Sequence, residues 1–329
     1  MLERGGAAMG GGSGDSSAVY EQIASSLANS QVFFSEPMSN HTSFRIGGPC
    51  DLLVIPGTRD DAIKAWLMCR ELKVPCHIIG NGTNLLVRDG GVRGCILKMA
   101  SGYAGVERNG SRSLIISSGT LLQAIVEASV RYQLSGLEFA VGIPGSMGGA
   151  VTMNAGAYGG DIGSLVNKVE VATADGATQW LSSNEAGFSY RNSLFLSRDD
   201  LLILNVEMVL EPGDGDRIHR VMMDHLNQRE EKQPLDIPSA GSAFRRPAGR
   251  FVGPMIEELG LKGFSCGGAM VSPKHAGFIV NHGGATAKDV LTLMDAIKNK
   301  VHENFGVVLQ PEIIVIGEDL EPEGDCESE

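Results

Sequence analysis

Apolar and polar positions follow two rhythms along this chain, one near 3.6 residues and one of short unbroken runs, and they divide it into three stretches. In the first, a helix is predicted over residues 19–27 and a strand over 51–55. Residues 58–72 read as a helix, with Ile63, Leu67 and Leu72 near helical spacing, Thr58 as its N-cap and Asp60 and Asp61 in its first turn. A short apolar strand over 76–79 runs straight into Gly80-Asn81-Gly82-Thr83-Asn84, and further strands follow at 85–87 and 95–97. This pattern of strands and a helix describes one small α/β unit over residues 18–98.

The second stretch, residues 99–213, opens with a strand at 114–117 and a helix at 120–132. A glycine-rich segment spans 136–163, and strands at 168–173 and 178–181 flank Asp175-Gly176, a strong hairpin signal. Residues 201–210 form a long, almost continuously apolar strand, and Glu211-Pro212-Gly213-Asp214-Gly215 reads as a linker. The third stretch, residues 214–317, begins with a polar helix over 218–231. An irregular segment with four prolines follows over 234–254. The clearest helix spans 287–304, with Val290, Leu291, Met294, Ile297 and Val301 on one face and Gly306 just past its end. A strand is predicted over 307–316. No repeat of fixed period is present.

Composition narrows the function. The formal net charge is −12, and residues 318–329 alone hold seven acids and no base. The remainder carries 27 bases against 32 acids, a balance that disfavours nucleic acid or an anionic membrane as partner while leaving room for a small anionic ligand in a local basic pocket. No obligate protein partner is evident. Residues 1–17 are rich in Gly and Ser without an apolar core, so they read as a flexible extension rather than a signal peptide, and 318–329 as an acidic tail. No run approaches the ~18 apolar residues of a membrane span. Six cysteines, none in a CxxC pair and most in apolar runs, fit reduced thiols in a cytoplasmic protein. No HExxH or Cys/His spacing indicates a metal, so none is expected.

Two glycine-rich loops are the first candidates for chemistry. In Gly80-Asn81-Gly82-Thr83-Asn84, glycines let backbone N–H groups approach a pyrophosphate, and Thr83 and Asn84 add donors. Leu85 breaks the GxGxxG fingerprint, and no GK[ST] follows, so neither a dinucleotide-binding turn nor a Walker loop is present. Taken alone, such a loop is more often a tight glycine turn without a ligand. In Gly142-Ile143-Pro144-Gly145-Ser146-Met147-Gly148-Gly149, Pro144 fixes the turn, Ser146 is placed to cap a short helix, and Gly148 allows backbone to press on a flat ligand. Close helix packing is the competing explanation. Two such loops in successive units suit a cofactor with a pyrophosphate and a planar ring.

Three further polar positions stand out: Arg191 in Phe188-Ser189-Tyr190-Arg191-Asn192-Ser193, Ser242 in Gly241-Ser242-Ala243-Phe244-Arg245-Arg246-Pro247, and Glu312 at the head of an apolar strand. A surface ion pair, a turn serine and a solvated strand end would account for them singly. Ser242 lies outside any GxSxG elbow, which disfavours a hydrolase of that kind.

Together with Asn40-His41-Thr42-Ser43-Phe44-Arg45-Ile46-Gly47-Gly48, the 80–84 loop, and segments 136–158, 188–193, 229–247, 274–281 and 311–317, these positions closely resemble the UDP-N-acetylenolpyruvoylglucosamine reductase (MurB) family. The resemblance runs in the family's order from about residue 35 to 317. It implies an α+β protein: a vanillyl-alcohol-oxidase/PCMH-type FAD-binding fold of two α/β subdomains plus a C-terminal α+β substrate-binding domain. It implies non-covalent FAD, with Gly80, Asn81, Gly82, Thr83 and Asn84 at the pyrophosphate. Gly142, Ile143, Pro144, Gly145, Ser146 and Gly148 would lie near the flavin. Arg45 and Arg229 would make polar contacts to the cofactor. Tyr190, Lys232, Arg245, Lys274 and His275 become candidate contacts to the substrate, UDP-N-acetylglucosamine enolpyruvate.

The activity implied is NADPH-dependent reduction of the enolpyruvyl double bond to UDP-N-acetylmuramate, a peptidoglycan precursor. NADPH reduces FAD, and the reduced flavin delivers hydride. Arg191 and Glu312 stabilise the charge that develops, and Ser242 supplies the proton. Between Arg191 and the predicted strand at 201–210 there is no room for the tyrosine-bearing loop of the larger subtype, so the chain resembles the shorter one. The Lys-Asn that the larger subtype tends to carry is Arg245-Arg246 here. Rival readings are an oxygen-using flavin oxidase of the same fold and a catalytically inactive sugar-nucleotide binding protein. An NAD-dependent dehydrogenase is disfavoured by the broken GxGxxG.

Overall fold

The computed structural model describes residues 15–320. The segments expected to be a flexible extension and an acidic tail lie almost wholly outside that range. The predicted first helix is present, one turn earlier than expected, as Asp15–Ser25.

Three sheets organise the chain. The first orders its strands as Ser30–Pro37, Pro49–Pro56, Val92–Lys98 and Cys76–Ile79, antiparallel at the first junction and parallel at the other two. The edge strand Ser30–Pro37 has no clear apolar alternation, and the sequence pattern missed it. The helix Arg59–Glu71 covers this sheet. Thr58 caps it as expected, its hydroxyl accepting from Asp61 N–H at 3.1 Å. The second sheet is wholly antiparallel, in the order Thr178–Ser182, Val166–Thr173, Leu201–Val209, Ser113–Ser117 and Val106–Asn109. The Asp175-Gly176 hairpin is where the sequence placed it, closed by Thr173 N–H to Ala177 carbonyl at 2.9 Å.

The strand Leu201–Val209 explains its own continuous apolar run. Leu202 and Leu204 pack with Trp66 and Leu97 of the first unit, whereas Leu201, Ile203, Val206 and Met208 join the core of the second. A bulge sets this phase: Glu170 pairs with Asn205 but Val171 pairs with Ile203, so the alternation shifts by one residue at Leu204. One strand thus seals two cores.

The third sheet, Ser239–Ser242, Phe278–Asn281, Ala269–Val271 and Ser265–Cys266, is also antiparallel. Its strands are two to four residues long, too short to show periodicity. The segment read as irregular therefore contains the strand Ser239–Ser242 and the start of the helix Val252–Glu258. The helix Ala287–Phe305 is as predicted, with a Thr286/Asp289 capping box and Gly306 in the left-handed region at φ 66°.

Two expectations need correction. The strand predicted over 307–316 is only Ile314–Ile316. Pro311 lacks an N–H, and the residues before it run out to meet the third sheet, with Arg245 N–H on Gln310 carbonyl at 2.8 Å and Glu312 N–H on Ala243 carbonyl at 3.0 Å. The linker at 211–215 is partly a strand, Glu211–Pro212, paired with Leu134–Ser135.

Ile314–Ile316 returns to the first unit and pairs in parallel with Leu85–Val87, directly after the first glycine loop. No described helix is long and apolar enough to cross a membrane. Trp66, 1% exposed, fills the contact between the first and second units. Trp66→Ala is expected to destabilise the fold by about 3–5 kcal/mol, read as a lower urea midpoint.

Candidate functional site

The two glycine loops face each other. Asn81 Nδ2 donates to the Pro144 carbonyl at 2.7 Å, so the loops are tied directly. Glycine allows a close approach at two positions of the first loop, to a side chain at Gly80 and to backbone at Gly82. A Cβ at Gly80 would stand 2.2 Å from Ser146 Oγ, and one at Gly82, already at φ +69°, would stand 2.2 Å from the His41 carbonyl. His41 and its neighbours brace the loop from below: Ser43 N–H donates to the Gly82 carbonyl at 3.1 Å, and Ser43 Oγ reaches Ser239 of the third sheet at 2.6 Å.

The helix after the second loop is Met147–Thr152. Ser146 takes its N-cap position but makes no cap hydrogen bond, contrary to expectation. The N–H groups of Met147 and Gly148 are taken by the carbonyls of Thr120 and Ser118, each at 2.8 Å. Hydroxyls are left to do the work expected of that helix end. Ser146 Oγ and Ser118 Oγ are buried without a hydrogen-bond partner among the described residues, and both residues line the cleft.

That cleft encloses about 3230 Å³ and runs between the three sheets. It is several-fold larger than the ~300–1,000 Å³ of an ordinary small-ligand pocket. Every residue of the 80–84 loop lines it, as do Gly142, Ile143, Pro144, Gly145, Ser146, Gly148, Arg45 and Arg229. Lys232, Arg245, His275, Arg191, Ser242 and Glu312 also line it. Tyr190 and Lys274 do not. The Tyr190 hydroxyl accepts from Arg246 N–H at 3.3 Å, and Lys274 Nζ donates to the Glu230 carbonyl at 2.6 Å.

Arg229 projects from the helix Gly215–Lys232 and is 7% exposed. A Cβ on Gly142 would meet its Cδ at 2.9 Å, so glycine there lets the arginine lie across the loop. Its guanidinium stands 5.7 Å from the Tyr158 ring centroid, and Tyr158 stacks on His225 at 4.2 Å. Arg229 NH1 reaches Gln233 at 3.2 Å, while Nε and NH2 have no partner among the described residues. Burial holds its pKa below the usual arginine value, yet arginine remains charged at any ordinary pH. Two arginine nitrogens and two serine hydroxyls, all buried and unpaired on one cleft, suit a ligand with anionic oxygens. Burial also lowers His275, which fits a neutral ring accepting Gly277 N–H on Nδ1 at 3.1 Å.

Arg191 and Glu312, 121 positions apart, meet as an ion pair, Nε to Oε1 at 2.7 Å, with side chains 20% and 14% exposed. Arg191 sits at φ +52° at the tip of a tight turn closed by Ser189 and Asn192. For a non-glycine residue that conformation costs about 1–3 kcal/mol unless its surroundings hold it. Here NH2 also donates to the Gly156 carbonyl at 2.9 Å. Asn154 braces the turn, Nδ2 on the Ser189 carbonyl at 2.9 Å and Oδ1 accepting Gly163 N–H at 2.8 Å. Glu312 is fixed from the other side, its carbonyl accepting from Asn84 Nδ2 at 3.0 Å. Ser242 precedes Ala243, whose carbonyl accepts Glu312 N–H. Asn154, Tyr158 and Ser118 were not singled out from the sequence. Each works through a neighbour brought in by folding, and nothing in their spacing signals it.

Burial raises the Glu312 carboxyl above its ordinary 4.5, against the pull of Arg191 and Arg245. A carboxyl raised in the folded state favours folding while protonated. Its contribution is complete below 4.5 and is lost as pH rises through the folded value. Glu312→Gln is therefore expected to gain stability relative to the parent as pH rises from 4.5 through that window, measured as the difference in urea midpoints. A difference that is flat with pH would show that the carboxyl is not raised.

Comparison with known proteins agrees with this geometry. Residues 50–182 match the family model of an FAD binding domain. Residues 233–316 match that of the UDP-N-acetylenolpyruvoylglucosamine reductase C-terminal domain. The UDP-N-acetylenolpyruvoylglucosamine reductase of Syntrophomonas wolfei is 44% identical over 301 residues, covering 92% of this chain and 100% of its own. That of Caldanaerobacter subterraneus subsp. tengcongensis is 45% identical over 300 residues, covering 91% of this chain and 98% of its own. The crystal structure of the Thermus caldophilus reductase superposes with a TM-score of 0.73 at 34% identity, over 87% of this chain and 98% of that one. With an FAD binding domain, a reductase-type third domain and this likeness along almost the whole chain, the protein belongs to the UDP-N-acetylenolpyruvoylglucosamine reductase family of FAD-dependent oxidoreductases.

Proposed function

We propose that this chain reduces the enolpyruvyl double bond of UDP-N-acetylglucosamine enolpyruvate to give UDP-N-acetylmuramate in peptidoglycan precursor synthesis, with NADPH as reductant. The observation that supports this most is the convergence of Arg191, Ser242 and Glu312, from separate parts of the chain, on one cleft beside the two glycine loops. FAD, when bound, supplies the two-electron carrier between NADPH and the enol ether. Gly80 to Asn84 would hold its pyrophosphate, and the unpaired groups of Ser118, Ser146 and Arg229 offer donors to a cofactor with anionic and carbonyl oxygens.

The chain's own residues then divide the remaining work. Arg191 carries a fixed positive charge and, held by Glu312 and the Gly156 carbonyl, needs no reorganisation to face a substrate carboxylate. Glu312, raised by burial, keeps a proton through part of the range where an ordinary glutamate has lost it. In that form one oxygen still accepts from Arg191 while the other donates to developing negative charge. Ser242 Oγ would move a proton to the second carbon. A serine is a weak acid, so its contribution rests on position and on the basicity of the carbon it faces. Lys232, Arg245 and His275 line the cleft and are the proposed contacts to the nucleotide sugar. Arg246 instead stacks on Phe251, 3.6 Å from the ring centroid. Tyr190, its ring 5.2 Å from the Arg191 guanidinium, and Lys274 do not line the cleft themselves, so these cleft residues are the proposed contacts at the uridine end. The five described cysteines are unpaired, which fits a reducing cytoplasm.

The test is an anaerobic absorbance titration. Yellow protein is expected to bleach with NADPH and recolour with the UDP-linked enol ether, while recolouring by oxygen alone would favour an oxidase. Ser242→Ala is expected to bleach normally with NADPH and to lose turnover by about 10²–10⁴-fold. Near-normal turnover would remove Ser242 from the proposal. Gly80→Val, whose side chain would press on Ser146 Oγ, is expected to purify folded but colourless; retained flavin absorbance would show that the 80–84 loop is not the cofactor cradle.

A further inference from the structure

Away from the chemistry just described, folding assembles a cluster that chain spacing conceals. The sulfurs of Cys69, Cys76 and Cys95 lie within 4.8 Å of one another. Cys69 stands on the helix Arg59–Glu71, and Cys76 and Cys95 are register partners in adjacent parallel strands. The side chains of such partners leave the sheet on the same face, here the one the helix covers. Cys69 and Cys95 are fully buried, in a core shared with Ala62, Trp66 and Leu97. Cys76 lies on the strand Cys76–Ile79 at the edge of the first sheet and packs against the same core. The three sulfurs thus converge on one point between the helix and the two strands.

The surroundings select among thiophilic occupants. No His, Asp or Glu among the described residues joins the three sulfurs. Zinc favours four ligands, and three thiolates would leave it a net anion in an apolar core. A monovalent soft metal with three thiolates would bury still more charge. A trivalent centre that takes three sulfurs, keeps a lone pair in place of a fourth ligand and ends neutral meets both conditions. We propose that Cys69, Cys76 and Cys95 form a binding site for trivalent arsenic, taken up from arsenous acid as a neutral three-coordinate trithiolate. Three As–O bonds break and three As–S bonds form, and each thiol proton leaves with a displaced hydroxide as water. Arsenic stays trivalent, so no oxidant or reductant is consumed. The adduct would link the helix Arg59–Glu71 to both strands. One of these, Cys76–Ile79, leads directly into the Gly80 loop.

The experiment is native mass spectrometry of the FAD-loaded, reduced protein with arsenous acid. One arsenic per chain is expected, at a mass showing the loss of three hydrogens and retention of no hydroxyl. Cys95→Ala, with its flavin absorbance confirming the fold, is expected to bind at least ~100-fold more weakly, because the third sulfur acts at high effective concentration. Cys50→Ala and Cys266→Ala are expected to bind as the parent does. An adduct that keeps a hydroxyl, no adduct in excess arsenous acid, or undiminished binding by Cys95→Ala would each overturn the site. So would uptake of Cd²⁺ by a protein that refuses arsenous acid. The mass of the parent's adduct decides the coordination number even if Cys95→Ala does not fold.

Discussion

The parallel pairing of Ile314–Ile316 with Leu85–Val87 is the contact on which the rest of the arrangement depends. It joins segments more than two hundred residues apart and fixes both ends of the site at once. Leu85–Val87 follows the Gly80 loop, and Glu312 precedes Ile314. The ladder continues beyond the strands: Ile314 N–H donates to the Asn84 carbonyl at 3.0 Å, and Asn84 Nδ2 donates to the Glu312 carbonyl. The proposed cofactor loop and the Glu312 carboxyl are thus mounted on one hydrogen-bonded unit. A shift of one residue in this register would turn every side chain of the strand to the other face.

Arg191 answers Glu312 from the second sheet, and the pair shows how opposing effects are balanced. Desolvation raises the carboxyl, while two arginines lower it, and desolvation prevails in direction. An ion pair this deep is weak support for stability, since the cost of removing both charges from water offsets much of their attraction. The conformation of Arg191 points the same way. A left-handed backbone in a non-glycine residue, braced by Asn154 and the Gly156 carbonyl, is strain retained at a site where position matters more than stability.

Close approach explains the glycines better than flexibility does. Gly80, Gly82 and Gly142 each lie where a Cβ would strike Ser146, His41 or Arg229. The absence of Cβ atoms there lets two loops and an arginine pack closely along one cleft. The same convergence consumes the first N–H groups of the helix Met147–Thr152 in contacts to Thr120 and Ser118, and leaves the Ser118 and Ser146 hydroxyls and two Arg229 nitrogens without partners among the described residues.

Much of this was legible in the sequence, because local physics wrote it there. The Thr58 and Gly306 helix ends, the Asp175-Gly176 turn, the face of the helix Ala287–Phe305 and the two glycine loops all follow from spacing within a few residues. The motif order carried the family, and the structure brings Arg191 and Glu312 into contact and puts Ser242 on the same cleft. The short strands of the third sheet were invisible because two to four residues establish no period. Folding alone decided that Leu204 bulges so that one strand serves two cores, that the last strand begins only after Pro311, and that Tyr190 bonds Arg246 while Lys274 bonds Glu230. Folding alone also brought Cys69, Cys76 and Cys95 together. A sequence determines which elements form and which groups are available, since those depend on neighbours along the chain. Which groups meet depends on sheet register and helix packing, and these are settled only when distant segments compete for the same buried surface.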